Sequence, residues 1–358
     1  MKLDWTLHPP DQFRKLAPAW DALNQQTSNL PFLDSLFIAP LLDVFGKGNE
    51  AIALCRNGSE LVAAAIVHKV GAGRWETFQP SQLPLGPLLV SPGLDLEELG
   101  ATLLTALPGI NVSLGLTQLD PLYLARPDNQ GAVETLDYID TAWVDITGSF
   151  DDYWNARGKN LRQNMRKQRN RLTKEGAETT LEILREATEI DQVIRDYGAL
   201  EAASWKADTG TAITADNDQG RFYAAMLKAF CDVGRGVAYR YRLNGQVVAV
   251  DLCIEAGEML VILKTTYDAS DKSLSPAFLM REEQFAQLWA EGRTKRIEFY
   301  GKVMEWHTRW TDQARTLYHA TLFRWTAVKA VKGLRHKLRN RSTTASSQPD
   351  ETPANEQS

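Results

Sequence analysis

The chain has 358 residues, 44% of them apolar, with 40 Lys and Arg against 45 Asp and Glu and a net charge of −5. That length holds two domains of ordinary size, and the mild negative charge argues against a dedicated nucleic-acid binder. A run of about 20 apolar residues that could span a bilayer is missing, and Met-Lys-Leu-Asp-Trp at the start lacks the apolar core of a secretion signal.

Cys55, Cys231 and Cys253 are odd in number and widely spaced, which argues against a disulfide framework, so a cytoplasmic protein is expected. In chain order, residues 13–25 carry Phe13, Leu16, Trp20 and Leu23 on one helical face. A second helix opens near Asn29 and runs to Phe45, with Gly46 as its stop. Residues 51–68 form a hairpin around Asn57-Gly58, because Asn-Gly tolerates the positive φ of a tight turn. Residues 80–93 are a Pro- and Gly-rich loop, 94–107 a helix, and 110–116 and 135–146 strands. His8 and His68 stand alone, which is the pattern of surface or hydrogen-bonded core residues rather than of ligands.

Thr147 to Asp152 mark a boundary, with Ser149 or Asp151 placed to cap a helix. Between Arg157 and Lys174 lie eight Lys or Arg and no acid, with Leu161, Met165 and Leu172 as a narrow apolar stripe. That pattern is a solvated helix docked on the stripe, or a surface that attracts an anion. Residues 187–206 continue as helix, 208–219 as loop and 222–231 as an amphipathic helix.

A second Asn-Gly hairpin spans Val237 to Ile254 around Asn244-Gly245, echoing the first. A strand follows from Met259 to Asp268, then a polar loop over 269–274. Ser275 is a good N-cap and Pro276 suits the first helical position. Phe278, Phe285, Leu288 and Trp289 fall at helical spacing, and Gly292 is the stop. No acid occupies the first turn, while Lys272 precedes it and Arg281 lies within it, which suits a phosphate group. Residues 295–300 are a strand, followed by the cluster Trp306-His307-Thr308-Arg309-Trp310. Residues 317–338 read as a basic amphipathic helix, which permits docking on the sheet or contact with an anionic membrane surface. The tail from 340 on is polar enough to be disordered.

The signatures of serine hydrolases, zinc proteases, P-loop nucleotidases and dinucleotide enzymes are missing from the sequence. Tyr267-Asp268, Leu274-Ser275-Pro276, Ile297-Glu298-Phe299 and Trp306 to Trp310 resemble the motifs of the BioF2-like acetyltransferases, with the CelD/BcsL group, in the GNAT superfamily. Here Ala277 stands for the family's Gly, Glu298 for its Asp, Tyr300 for the Gly after Phe, and Trp306-His307 for Tyr-Lys. The resemblance covers residues 150–312 and implies a mixed α/β fold of two fused GNAT-like units, over 1–146 and 147–339, with the tail at 340–358.

It also implies an acyl-CoA donor, acetyl-CoA by preference, and no metal. Lys272, Ser273, Ser275, Ala277 and Arg281 are then expected at the cofactor, the 273–275 loop facing the diphosphate. Trp205, Lys206, Asp251, Lys264, Tyr300, Trp306 and Trp310 are expected around the acceptor, a sugar-like amine or hydroxyl in surface-polysaccharide synthesis. Candidate bases are Asp251, Asp268, Glu298 and His307, of which His307 titrates nearest neutrality without help. Tyr267, Tyr300 and Tyr318 are candidate acids. The strands at 258–266 and 295–300 are expected to splay around the thioester. Two rival readings remain: a FemX-like transfer of aminoacyl groups from tRNA, which the basic helix suits, and a non-catalytic scaffold for an anionic polymer or membrane. No specific nucleic acid is expected for the acyl-CoA reading.

Overall fold

The computed structural model describes residues 2–203, 213–271 and 273–330. Trp205, Lys206, Lys272 and everything from residue 331 on, including the tail expected to be disordered, lie outside the described residues.

The N-terminal half runs β1 (Leu3–His8), α1 (Phe13–Gln26), α2 (Ser35–Phe45), β2 (Glu50–Asn57), β3 (Glu60–Gly71), β4 (Arg74–Thr77), β5 (Leu88–Val90), α3 (Leu96–Ala106), β6 (Ser113–Leu119) and β7 (Val133–Asp145). The remainder runs α4 (Phe150–Ala156), α5 (Lys159–Lys174), β8 (Thr179–Leu184), α6 (Ile190–Ala202), α7 (Asp218–Asp232), β9 (Gly236–Leu243), β10 (Gln246–Ala256) and β11 (Met259–Tyr267). It closes with α8 (Pro276–Glu291), β12 (Arg296–Glu298), α9 (Glu305–Thr308) and β13 (Ala314–Phe323). The fold is mixed α/β, and the strands join in one sheet of order β1-β2-β3-β4-β6-β13-β7-β12-β11-β10-β9-β8, with β5 beside β3.

Local chemistry sets these elements. Asp34 accepts from Leu36 N at 3.0 Å and Ser149 from Asp152 N at 3.1 Å, supplying acceptors for helix amides that have no partner within the helix. Asn244 and Gly245 sit at φ 49° and 79°, the mirror-image turn that a two-residue hairpin needs. In the first hairpin the turn falls one residue later: Asn57 pairs with Glu60 and Gly58 alone takes positive φ. Gly292 ends α8 in the left-handed region at φ 68°.

The sheet is covered on both faces. Leu161, Met165 and Leu172 of α5 pack with Leu279, Phe285 and Leu288 of α8 on one face, against Val237, Tyr239, Leu260, Ile297 and Phe299. On the other face Phe13, Trp20, Phe32 and Phe37 from the N-terminal half share one core with Phe222, Met226 and Phe230 of α7 and with Val250, Leu252 and Val261. Phe37 meets Phe222 edge-on at 5.1 Å, and Arg235 pairs with Asp34 at 2.7 Å. Each fully buried ring of this kind contributes roughly 1.5–3 kcal/mol.

One expectation is overturned here. The segment expected to begin a helix at 317 is β13 through Phe323, hydrogen-bonded to β6 on one side and β7 on the other. Residues 326–330 are helical, and 331–338 lie outside the described residues. Tyr318, Ala320 and Leu322 face α3 while Leu317 faces the opposite core, as successive residues of a strand do.

Candidate active site where two strands part

β11 and β12 pair in parallel over only three residues, Met259 with Arg296, Leu260 with Ile297 and Val261 with Glu298. β11 continues to Tyr267, whereas β12 ends, and Tyr300 at φ 46° turns the chain away. The expected splaying of these strands therefore begins beyond Val261 and Glu298, after a short paired stretch. Six residues of β11, about 20 Å at roughly 3.3 Å each, stand free of β12.

The space beside this stretch is a slot of about 420 Å³ lined by Thr265 and Tyr267 of β11, Ser275, Ala277, Phe278 and Arg281 of α8, and Trp306 and Trp310. Its mouth is the N-terminus of α8. Ser275 occupies the cap position, but its side chain makes no cap hydrogen bond, and its amide donates to Gln168 Oε1 on α5 at 2.7 Å. Pro276 has no N–H, and no acid stands in the first turn. Asp271 is the nearby carboxylate. It is turned onto Ser273, whose amide it accepts at 2.8 Å, and onto Arg171 of α5 at 3.2 Å. Hydrogen bonds from Ser273, with Arg171 beside it, hold its carboxyl below the usual range. Ser273 itself bonds to Asp271 and Arg171, so it ties the loop to α5.

At the floor of the slot Arg281 belongs to a buried ion pair, with Asp251 behind it. Arg281 is 2% exposed and Asp251 0%, and Arg281 Nη2 lies 3.2 and 3.1 Å from the two Asp251 oxygens and 3.0 Å from Thr265 Oγ1. Burial pushes the Asp251 carboxyl up, and Arg281 and Thr265 offset part of that rise. Beside it, His307 stacks on Trp306 at 3.5 Å and uses Nδ1 to accept from Met304 N at 2.9 Å. Burial and the neighbouring Arg281 charge push this imidazole down to about 4. The expectation that His307 titrates nearest neutrality is thereby reversed.

Glu298 takes that place. It lies on the opposite sheet face from Ile297 and Phe299, is 0% exposed, and burial pushes its carboxyl up to about 7 against the pull of Arg315. Glu298 Oε2 accepts from Arg315 Nη2 at 3.0 Å; Oε1 has no hydrogen-bond partner among the described residues. Arg315 also holds Asp120 at 2.6 Å, and Tyr300 donates to Asp120 at 3.1 Å. Arg315 and Asp120 were not singled out in the sequence: they lie 195 residues apart, and no local pattern joins them.

The remaining candidates divide. Asp268 accepts from Ser270 N at 2.8 Å, forming a turn. Lys264 stands near the Tyr223 ring at 5.9 Å, on the Glu298 side of the sheet. Tyr318 donates to Leu124 O at 2.9 Å, in the core against α3, and burial pushes its hydroxyl far up. Among the described residues no cluster fit to hold a metal ion is found.

Comparison with known proteins fits this geometry. The family model of the acetyltransferase (GNAT) domain matches residues 159–308. The chain is similar to the solved structure of FemX, with a TM-score of 0.55 at 10% identity, covering 86% of this chain and 96% of that one. It is similar to the C-terminal domain of a putative lysylphosphatidylglycerol synthetase from Agrobacterium fabrum (TM-score 0.54, 12% identity, 90% and 95% covered). It is also similar to a conserved protein of unknown function from Bacteroides thetaiotaomicron (0.54, 11%, 86% and 97%). A comparison with curated protein sequences gave no match. Residues 159–308 thus match the acetyltransferase (GNAT) domain model and are set in a mixed α/β fold with one continuous sheet.

Proposed function

We propose that the protein transfers an acyl group, acetyl in the simplest case, from a coenzyme A thioester to an amine or hydroxyl acceptor. The observation that carries this reading is the acid-free N-terminus of α8 opening onto a slot lined by the stretch of β11 that stands free of β12, with Glu298 at the point where the two strands part. Phosphate at the helix mouth would meet the Ala277 amide and the positive helix end, the Ser275, Phe278 and Leu279 amides being already hydrogen-bonded. From there to Glu298 the free edge of β11 spans a distance that a pantetheine arm covers and a bare phosphate ester does not.

In this reading the donor enters from the α8 face and the acceptor from the face of Tyr300 and Asp120. Glu298 Oε1, which has no hydrogen-bond partner among the described residues and only Arg296 Nη1 at 3.9 Å as an ion-pair neighbour, takes the proton from the acceptor as its nitrogen or oxygen attacks the thioester carbonyl. Arg315 fixes the other oxygen and holds the carboxylate in place. The tetrahedral intermediate collapses with loss of thiolate, which needs a proton, and Tyr267 at the slot is the candidate donor. Trp306 and Trp310 wall off water. An acceptor of the sugar class follows from the resemblance to the CelD/BcsL group.

The test is titration calorimetry with coenzyme A on the wild type and on Ser275→Asp. The Ser275 side chain makes no cap bond, so the substitution leaves the fold in place and sets a carboxylate at the helix mouth. Binding should weaken by about 1 kcal/mol or more. Equal affinities would remove the phosphate end from α8. A second reading, aminoacyl transfer from tRNA, draws on α5, where Lys159, Arg162, Arg166 and Lys167 make no ion pair among the described residues. Binding of aminoacyl-tRNA without binding of coenzyme A would select it.

A further inference from the structure

Arg281 is held by one nitrogen only. Nη2 takes Asp251 and Thr265, whereas Nη1, in a side chain 2% exposed, has no hydrogen-bond partner among the described residues. The guanidinium carbon lies 5.9, 5.6 and 5.7 Å from the ring centres of Phe285, Phe299 and Trp306, so aromatic carbon surrounds this donor. A guanidinium can only donate, so the missing partner is an acceptor atom. Leaving a buried charged donor unpaired is costly, and Arg281 lines the slot.

The charge of the floor decides which acceptor. Asp251 at 3.1 Å cancels Arg281, and His307, pushed down to about 4, adds no positive charge at neutral pH. A carboxylate or phosphate brought here would lose its water and meet a site of no net charge. A carbonyl oxygen loses little and gains a charge-assisted hydrogen bond. Position agrees: Arg281 lies six residues into α8 from Ser275, about 9 Å at 1.5 Å per residue, so a phosphate at the helix mouth leaves Arg281 beside the chain that follows it.

We propose that Arg281 is a specificity-determining residue that donates from Nη1 to an amide carbonyl of a pantetheine arm, and that Asp251 makes the floor of the slot refuse anions. The proposal rests on the acyl-donor reading above. The arm is common to coenzyme A and to the phosphopantetheine of a carrier protein. Asp251 is therefore a positioning and charge-cancelling residue rather than a catalytic one.

Titration calorimetry with coenzyme A, phosphopantetheine and adenosine bisphosphate, which lacks the arm, tests the first half. Arg281→Lys keeps a cation for Asp251 and loses the second donor. It should weaken the two arm-bearing probes at least tenfold, about 1.4 kcal/mol, and leave adenosine bisphosphate unchanged. Pantetheine against pantothenate, whose arm ends in a carboxylate, tests the second half. The wild type should prefer pantetheine, and Asp251→Asn should shift the ratio at least tenfold toward pantothenate. That variant keeps the shape of Asp251 and makes the claim testable even if Arg281→Lys fails to fold. Holo against apo carrier protein, titrated likewise, separates the two sources of the arm.

Coenzyme A bound equally by wild type and Arg281→Lys would overturn this proposal and leave acyl transfer standing. An unchanged pantetheine-to-pantothenate ratio in Asp251→Asn would overturn the role given to Asp251. No binding of coenzyme A, phosphopantetheine or holo carrier protein to the wild type would overturn acyl transfer from such donors and this proposal together.

Discussion

Glu298 and His307 stand at opposite ends of the same electrostatic logic. Both are buried, and burial disfavours the charged form of each, which raises the acid and lowers the base. The Glu298 carboxyl rises to about 7 and the His307 imidazole falls to about 4. A base of that kind gives a rate that climbs through pH 7 as Glu298 ionises. Glu298→Gln should lose that limb, with turnover down ~10²- to 10⁴-fold and coenzyme A affinity kept. Normal turnover in Glu298→Gln with a dead His307→Ala would reverse the roles.

Linkage makes a second expectation at this scale. Glu298 has a folded value above its unfolded one, so its share of stability is present below about 4.5 and is lost as pH rises through about 7. His307 has a folded value below its unfolded one, so its share is present above about 6.5 and is lost as pH falls through about 4. The two slopes oppose each other between these limits. The melting temperature of Glu298→Gln should therefore climb with pH from 4 to 6.5 more steeply than that of the wild type. Parallel melting curves across that window would refute the opposing pair.

Among the elements, those with strong local punctuation were legible. Ser275-Pro276 and Gly292 bracket α8, Ser149 caps α4, Asn244-Gly245 closes the β9–β10 hairpin, and the stripe of Leu161, Met165 and Leu172 seats α5. β13 was illegible for a physical reason. Both its faces are buried, so Leu317 and Tyr318, and Leu322 and Phe323, are apolar side by side and hide the alternation of a strand, and the Lys- and Arg-bearing stretch after it continues an apparent helical pattern. The site was legible in part: Ser275, Ala277, Arg281, Trp306, Trp310 and Tyr267 do gather at the slot. The Asp120–Arg315 link was not, because only the pairing of distant strands creates it. With β13 hydrogen-bonded on both edges, truncation after Trp310 removes an inner strand and its Arg315. The truncated chain should lose its cooperative thermal transition. A truncation that melts like the full chain would show that β13 is dispensable.

At the scale of the whole molecule, the two halves share what each would need to stand alone. α1 and α2 bury Phe13, Trp20 and Phe37 in the same core as α7, and the strand order interleaves early and late segments of the chain. Gly100 shows how close that weave is: a Cβ there would stand 2.3 Å from Leu322 Cδ2, so α3 of the first half rests directly on the last strand. Gly100→Val would force these apart and should lower the stability of the entire chain in one transition, with no separate melting of either half. Two resolved calorimetric transitions in that variant would argue for independent halves.

The place of β13 also bears on how the protein is made. β6 and β7 leave the ribosome with a gap between them that nothing fills until residue 323 has been synthesised, some 180 residues after β7 ends. At about 5–20 residues per second, that is a wait on the order of ten to forty seconds with two unsatisfied strand edges facing each other. Nascent chains stalled near residue 300 should be cut by protease within residues 113–145, while chains stalled beyond the tail should resist. The first half to be translated is, on this topology, among the last parts to finish folding.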